Sequence, residues 1–152
     1  MPQSLWKSAR RVVGGLRRLR AQDYWLLTEA TALLVFVRLG LSFSSLQVLQ
    51  HRLLRANPPR RAPAQPARIA WIVRNAARPV PGASCLTQAL AYQAMLHRRG
   101  VRSELKLGVK HDQQGKFAAH AWVSVGGQVL LGGSTQEVAA FAPIAEFGAG
   151  PR

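Results

Sequence analysis

Apolar and polar positions along the chain predict a helical first half and a mixed second half. From Tyr24 to about Arg55 the helix-forming residues Leu, Ala and Gln predominate, which predicts one or two helices with Gly40 as the break. The proline-rich stretch from Asn57 to Pro66 predicts a linker, because proline lacks the amide donor and restricts the residue before it. Helical spacing of apolar residues resumes from Ala67 to Ala77.

The second half combines one further helix with a strand and a hairpin. Ser84 is a suitable N-cap for a helix that begins at Cys85 and ends at Gly100. The segment Ser103–Val109 alternates apolar and polar residues, which is typical of a half-buried strand. Ala119–Leu131 reads as a hairpin whose turn is the pair Gly126-Gly127. These patterns predict an α+β fold in which the helix beginning at Cys85 packs on a small antiparallel sheet.

A chain of 152 residues is long enough for one domain with a hydrophobic core. We expect a helical region over residues 1–56, a linker rich in proline and arginine over 57–66, a mixed core over 67–147 and a tail over 148–152. The single cysteine excludes an intramolecular disulfide, so a reducing, cytoplasmic environment is expected.

The charge is strongly positive, with 21 Lys and Arg against 6 Asp and Glu and a formal net charge of +15. No acidic residue occurs between Glu29 and Glu104, although that interval is rich in arginine. Such a field attracts acidic partners. Nucleic acid is one alternative, but no recognised nucleic-acid motif accompanies the basic residues, so it is not the partner we expect.

A membrane span is not expected, because Glu29 and Arg38 interrupt the apolar stretch from Tyr24 to Leu49. The first twenty residues interleave basic and apolar side chains and lack the pattern of a signal peptide. They predict a basic amphipathic helix, and the sequence leaves open whether it packs on the protein, on a partner or on a membrane surface.

Candidate chemistry centres on Cys85 and His120. At the start of a helix, unpaired amides and the macrodipole favour a thiolate, although a buried structural cysteine is the alternative interpretation. His120 shares a strand face with Trp122 and Ser124, and a strand histidine alone is commonly a packing residue. Together they supply what an activated thiolate requires. The histidines and Cys85 show no metal-ligand spacing and no phosphate loop is present, so neither a metal nor another cofactor is expected.

Two segments carry a resemblance to a known family: Pro81-Gly82-Ala83-Ser84-Cys85-Leu86, which leads to Arg98-Arg99-Gly100-Val101, and Phe117-Ala118-Ala119-His120-Ala121-Trp122-Val123. They resemble the leader peptidases of lasso-peptide biosynthesis, members of the transglutaminase-like superfamily with a papain-like mechanism. The resemblance spans roughly residues 65–147. It implies that Cys85 attacks the carbonyl at the junction of leader and core peptide, that His120 activates the thiol and protonates the leaving amine, and that water hydrolyses the thioester.

The resemblance also implies partners for the chain. These are a lasso precursor peptide with its leader, a separate leader-recognition domain protein, and an ATP-dependent cyclase that closes the macrolactam ring of the freed core. The basic surface would then dock acidic groups of the leader or of the recognition partner.

The chain departs from the family at the acid that orients the histidine. Related enzymes carry an Asp at the position that matches Gly132. A two-residue turn at Gly126-Gly127 would place Gly133 opposite His120, and a one-residue change of register would place Gly132 there. We therefore consider a bare dyad or a replacement, with Glu137 as the candidate acid in the catalytic set; the other replacements are Gln136, Asp112 and a backbone carbonyl.

Two other functions stay open at this point. The same Cys and His scaffold would support acyl transfer to an amine, and a basic binding module without enzymatic activity is the rival from a different class. The backbone amide of Cys85 is the first candidate for an oxyanion donor.

Overall fold

The computed structural model describes residues 21–55, 61–111 and 115–149. The expected N-terminal amphipathic helix, part of the linker, Asp112 and the end of the tail lie outside these residues. The helices are α1 (Ala21–Phe43), α2 (Leu46–Arg55), α3 (Pro66–Ala77), α4 (Cys85–His97) and α5 (Thr135–Ala139), and the strands are β1 (Ser103–His111), β2 (Phe117–Val125), β3 (Gln128–Leu131) and β4 (Ala142–Ala149).

The strands form one four-stranded sheet in the order β3-β2-β1-β4. All three pairings are antiparallel, and Gly126 and Gly127 form the β2–β3 turn with φ angles of +57° and +82°. Helix α4 packs on β1 and β2, while α1 and α3 pack on α4. The α+β prediction is therefore confirmed, with α1, α3 and α4 packed together on one face of the sheet.

One core joins the first half of the chain to the second. Leu34 of α1, Ile72 of α3, Leu90 of α4 and Val123 of β2 are all fully or almost fully buried in the same cluster. Tyr92 is also buried, its hydroxyl donates to the Pro66 carbonyl at 3.0 Å, and burial raises its pKa. Helix α1 thus contributes directly to the core on which α4 lies.

The predicted helix break at Gly40 is wrong. Helix α1 continues through Gly40 to Phe43, and the chain turns at Ser44 before α2 begins. A Cβ on Gly40 would lie 2.7 Å from the Cδ1 of Leu49, so the glycine allows α2 to fold back closely against α1. The close approach of the two helices, and not a local break, explains the glycine.

Two buried acidic residues of α1 form ion pairs with arginines elsewhere in the protein. Asp23 accepts two hydrogen bonds from Arg68 of α3, at 2.6 and 3.1 Å. Glu29 pairs with Arg98 at 3.2 Å and with Arg99 at 2.7 Å, both just beyond the end of α4. Part of the arginine excess therefore serves tertiary structure and is not a surface for nucleic acid.

Helix α1 is long and apolar enough to cross a membrane by length and composition, with a mean hydropathy of 1.7 in its most apolar window. In the described protein one of its faces lies in the core, and its two acidic residues are ion-paired there.

Candidate active site

Cys85 is the first residue of α4, as the sequence predicts. The side chain of Ser84 caps the helix by accepting a hydrogen bond from the Thr87 amide at 3.3 Å. The preceding turn contains Gly82 with a φ of +72°, a conformation that favours glycine. The thiol of Cys85 is free and its residue is partly exposed. A partly exposed sulfur at a helix N-terminus is accessible to a substrate and lies where amide dipoles stabilise negative charge.

His120 lies on β2 in an aromatic cluster. Its ring stacks on that of Trp122, with centroids 6.4 Å apart, and lies 5.2 Å from the ring of Phe141. Gly108 is its cross-strand partner on β1, and a Cβ there would lie 2.7 Å from the Trp122 ring. Sequence reasoning missed both Phe141 and Gly108. The signal for Gly108 was a lone glycine inside a strand pattern, which indicates a close approach of another group.

The group that orients the His120 ring is a backbone carbonyl. His120 Nε2 lies 2.6 Å from the carbonyl oxygen of Gly132. Because a carbonyl oxygen only accepts hydrogen bonds, Nε2 carries the proton and donates it to this bond. In the neutral ring Nδ1 is then the acceptor, so it is the nitrogen able to take a proton from a thiol.

Gly132 is close to the backbone of β2, and this explains why no side chain occupies the position. Its φ is +97°, and a Cβ would lie 2.6 Å from the Ala121 carbonyl oxygen and 2.7 Å from the Trp122 Cα. An aspartate would therefore require both a strained backbone and a shift of β2. The carbonyl of Gly132 takes over the hydrogen bond that a carboxylate would accept.

Both predicted registers for the hairpin are wrong at this position. Val125 pairs with Gln128 and Ser124 with Val129, but a bulge then pairs Val123 with Leu131, and the ladder ends there. Neither Gly132 nor Gly133 lies opposite His120 across a ladder. Gly132 meets His120 because the chain bends back over β2 as it leaves the sheet.

Glu137 forms a capping box at the start of α5. Its carboxylate accepts a hydrogen bond from the Ser134 amide at 2.6 Å, and the Ser134 hydroxyl accepts one from the Glu137 amide at 3.3 Å. The pKa of Glu137 is lowered mainly by the hydrogen bond from the Ser134 backbone and then by the one with the Ser134 side chain. The charge of His120 lowers it by a smaller amount. Within the described residues it makes no hydrogen bond to His120. Gln136 is exposed on α5, and Asp112 lies outside the described residues.

Cys85 and His120 come from different sides of β2. Ala121 and Val123 join the core beneath α4, so the alternation of a strand places His120 and Trp122 on the opposite face. No hydrogen bond links the thiol and the imidazole in the described part of the chain. Because β3 pairs only with Val123–Val125, no ladder covers the outer edge of β2 beside His120.

The described residues contain no group of three or more His, Cys, Asp or Glu side chains that could hold a metal ion.

Restoring an acid at Gly132 is expected to damage the protein. Because of the positive φ and the contacts with β2, Gly132→Asp should lower the free energy of unfolding by about 2–4 kcal/mol. Urea unfolding followed by circular dichroism measures this change. Gly126→Asn is the matched control, because Gly126 also has a positive φ but has no atom within 4 Å of its Cβ position. Equal stability of Gly132→Asp and the wild type would contradict this account of the site.

Glu137→Gln distinguishes a cap from an orienting acid. If Glu137 only holds the loop, turnover should fall a few-fold, whereas loss of an orienting carboxylate costs on the order of 10⁴-fold.

The lowered pKa of Glu137 also predicts a pH effect on stability. The carboxylate stabilises the fold above its usual pKa of 4.5, and this contribution disappears as the pH falls through the lowered value. The stability difference between wild type and variant should therefore shrink in acid. A 10⁴-fold loss of turnover would reinstate Glu137 as the third catalytic residue.

Comparison with known proteins gives one family. The family model described as Transglutaminase-like superfamily matches residues 30–146, from within α1 to within β4. A search of curated proteins finds no match, and a search of solved structures finds none. The matched region covers more than half of the chain and includes Cys85, His120 and Gly132.

Proposed function

Because this chain belongs to the transglutaminase-like superfamily, we propose that it is a cysteine peptidase that removes the leader from a ribosomally made lasso-peptide precursor. The superfamily is compatible with either a cysteine protease or an acyltransferase. The observation that carries the proposal is the hydrogen bond from His120 Nε2 to the Gly132 carbonyl. It holds the imidazole in the tautomer that a thiol-activating base requires, and it does so without the usual aspartate.

In the proposed reaction, His120 Nδ1 takes the proton of the Cys85 thiol. The sulfur attacks the carbonyl at the junction of leader and core, and the amide of Cys85 donates to the oxygen that becomes negative. The imidazolium then protonates the amine of the core peptide, which leaves. Water, deprotonated by His120, hydrolyses the thioester and releases the leader as a carboxylate.

In this proposal the substrate lies beside the outer edge of β2 at its first residues, up to His120, which β3 does not pair with; Gly132 lies against the next two residues, Ala121 and Trp122. A peptide carbonyl lying beside this edge would be reached by Cys85 from the helix side and by His120 from the opposite side. The aromatic cluster of Trp122 and Phe141 restricts the movement of the His120 ring, which reduces the entropy lost when the thiol and imidazole come together. Substrate binding would bring the two groups into contact, since catalytic hydrogen bonds are often long or absent in an unliganded enzyme.

The choice of a leader peptide as substrate depends on the resemblance of the segments around Cys85 and His120. In this proposal the peptidase works in the cytoplasm with a separate leader-recognition protein, and the freed core passes to an ATP-dependent cyclase. The net charge of +15 suits an acidic leader or partner. The ion pairs of Arg98 and Arg99 show that this role would fall to other basic residues.

The test is mass spectrometry of a candidate precursor incubated with this protein and its recognition partner. We expect cleavage at one junction by the wild type and none by Cys85→Ala or His120→Ala, with all proteins folded by circular dichroism. A product that carries an added amine in place of a free carboxylate would assign acyl transfer instead. Precursor that binds but stays intact with the wild type would favour the non-enzymatic binding module.

A further inference from the structure

Helix α1 has a second apolar face, which points away from the core. Trp25, Ala32, Phe36 and Phe43 follow one another at intervals of seven, four and seven residues, which brings them to one line along the helix. Trp25 is 62% exposed, Phe36 53% and Phe43 87%. The line is about 27 Å long at the rise of an α-helix. Large aromatic side chains that are exposed along a whole helix are typical of a surface that binds a protein or a membrane.

A cavity of about 580 Å³ opens beside this face and is basic as well as apolar. Trp25, Phe36 and Leu53 contribute its apolar wall, and Arg52, Arg61 and Arg98 contribute its basic groups. The guanidinium of Arg61 lies over the Trp25 ring, 5.8 Å from its centroid.

The arginines of this cavity have unused capacity for an anion. Glu29 is the acid that lines the cavity, and it is shared by Arg98 and Arg99, so two guanidinium groups face one carboxylate. The Nε atoms of Arg61 and Arg98 are buried without a hydrogen-bond partner in the described protein. Arg98 is already paired with Glu29, whereas Arg52 lines the cavity and is exposed, so its guanidinium can reach an anionic group.

The charge of each candidate partner determines whether it can cover the exposed face of α1. The first twenty residues carry Lys7, Arg10, Arg11, Arg17, Arg18 and Arg20 and no acid, so their sequence offers no negative charge to the arginines of the cavity. A second copy of a chain with a net charge of +15 is disfavoured for the same reason. The occupant is therefore anionic as well as apolar.

We propose that the outward face of α1, together with this arginine-lined cavity, binds the surface of a membrane rich in anionic phospholipid. Phe36, Leu39 and Phe43 would enter the boundary of headgroups and acyl chains, with the helix axis parallel to the surface. Arg52 and Arg61 would contact phosphate groups. A straight, protruding row of aromatic residues suits a broad lipid surface better than it suits a groove-bound peptide. The ion pairs of Asp23 and Glu29 keep the opposite face of α1 on the protein, so the helix lies on the membrane and does not cross it.

The experiment is co-sedimentation of the full chain with phosphatidylglycerol/phosphatidylcholine vesicles and with phosphatidylcholine vesicles. We expect binding to the first that weakens with salt, and at least tenfold less binding to the second. Phe36→Ser with Phe43→Ser should weaken binding about tenfold or more, and Arg52→Gln about fivefold. Circular dichroism checks that each variant is folded.

Matched controls distinguish binding by the α1 face from nonspecific adsorption through exposed apolar residues and from a general effect of positive charge. Phe117→Ser with Ile144→Ser removes two other exposed apolar residues, which lie on the sheet and are 59% and 65% exposed, and should leave binding within twofold of the wild type. Arg78→Gln, on the exposed end of α3, removes the same charge as Arg52→Gln. Absence of vesicle binding, equal binding to both vesicles, or wild-type binding by the folded Phe36→Ser, Phe43→Ser variant would overturn the proposal. The α1 face would then be assigned to a protein partner.

Discussion

Cys85→Ala is expected to abolish precursor cleavage, by roughly 10⁴-fold or more, while the protein stays folded. The chain has one cysteine, so no other thiol can replace the nucleophile. Alanine is the best helix former and Cys85 is partly exposed, so the change leaves little cavity and keeps α4 intact. Mass spectrometry of precursor and product over time measures the loss.

Ser84→Ala is the matched control for this prediction, because it changes the neighbouring residue and keeps the thiol. It removes the N-cap hydrogen bond to Thr87 and should cost about 1 kcal/mol of stability. Turnover should stay within several-fold of the wild type. If Cys85→Ala cleaved the precursor at the wild-type rate, the cysteine would have no part in the reaction and the proposed function would be wrong.

Glu29→Gln is expected to produce the largest loss of stability, about 3–5 kcal/mol. The Glu29 side chain is 6% exposed, and that of Arg99, its closer partner, is 3% exposed. Removing the carboxylate charge leaves the Arg98 and Arg99 guanidinium groups without their counter-ion, and the Arg99 side chain is too buried for water to replace it. Denaturant unfolding of wild type and variant, followed by circular dichroism, gives the difference directly.

Glu104→Gln provides the control for this loss. Glu104 also forms an ion pair, with Lys106 at 3.5 Å, but its side chain is 49% exposed, so its removal should cost at most about 1 kcal/mol. If Glu29→Gln does not fold, Glu29→Met with Arg99→Met should recover part of the stability, because replacing a buried pair with apolar residues is far less costly than leaving one charge behind. Equal effects of Glu29→Gln and Glu104→Gln would show that Glu29 is not a structural anchor.

The parts of the fold that depend on local pattern were predictable from the sequence. Ser84 caps a helix that begins at Cys85, and the pair Gly126-Gly127 forms the turn of the hairpin, because in each case a few consecutive residues decide the geometry. The same holds for α3, which begins at Pro66, one residue before the helix that the apolar spacing of residues 67–77 predicts.

Features set by distant contacts were not predictable in this way. Gly40 looked like a helix break but serves the contact between α1 and α2, and the bulge at Val123 moved the end of β3 away from both expected registers. Gly132, whose carbonyl accepts the hydrogen bond of His120, follows directly after the residue that pairs beyond this bulge. A backbone carbonyl was among the alternatives for the missing acid, but no sequence signal indicates which backbone carbonyl accepts the hydrogen bond from His120.

The ion-pair partners of Glu29 are another feature that local sequence does not predict. The sequence displayed an isolated acid in a basic region, and the arginines it pairs with lie about seventy residues further along the chain. Composition shows an excess of arginine but not which arginines are paired. Only the packing of α1 against the end of α4 shows that both are already paired.

The measurement that tests the central claim most directly is the rate at which iodoacetamide alkylates the protein at neutral pH, compared between wild type and His120→Gln. Because Cys85 is the single cysteine, the rate reports on that sulfur alone. Because substrate binding is proposed to bring the two groups together, alkylation of the wild type in the presence of precursor and recognition partner should be at least about tenfold faster than that of the folded variant. Equal rates, measured also in the presence of precursor and recognition partner, would contradict a catalytic pair of Cys85 and His120.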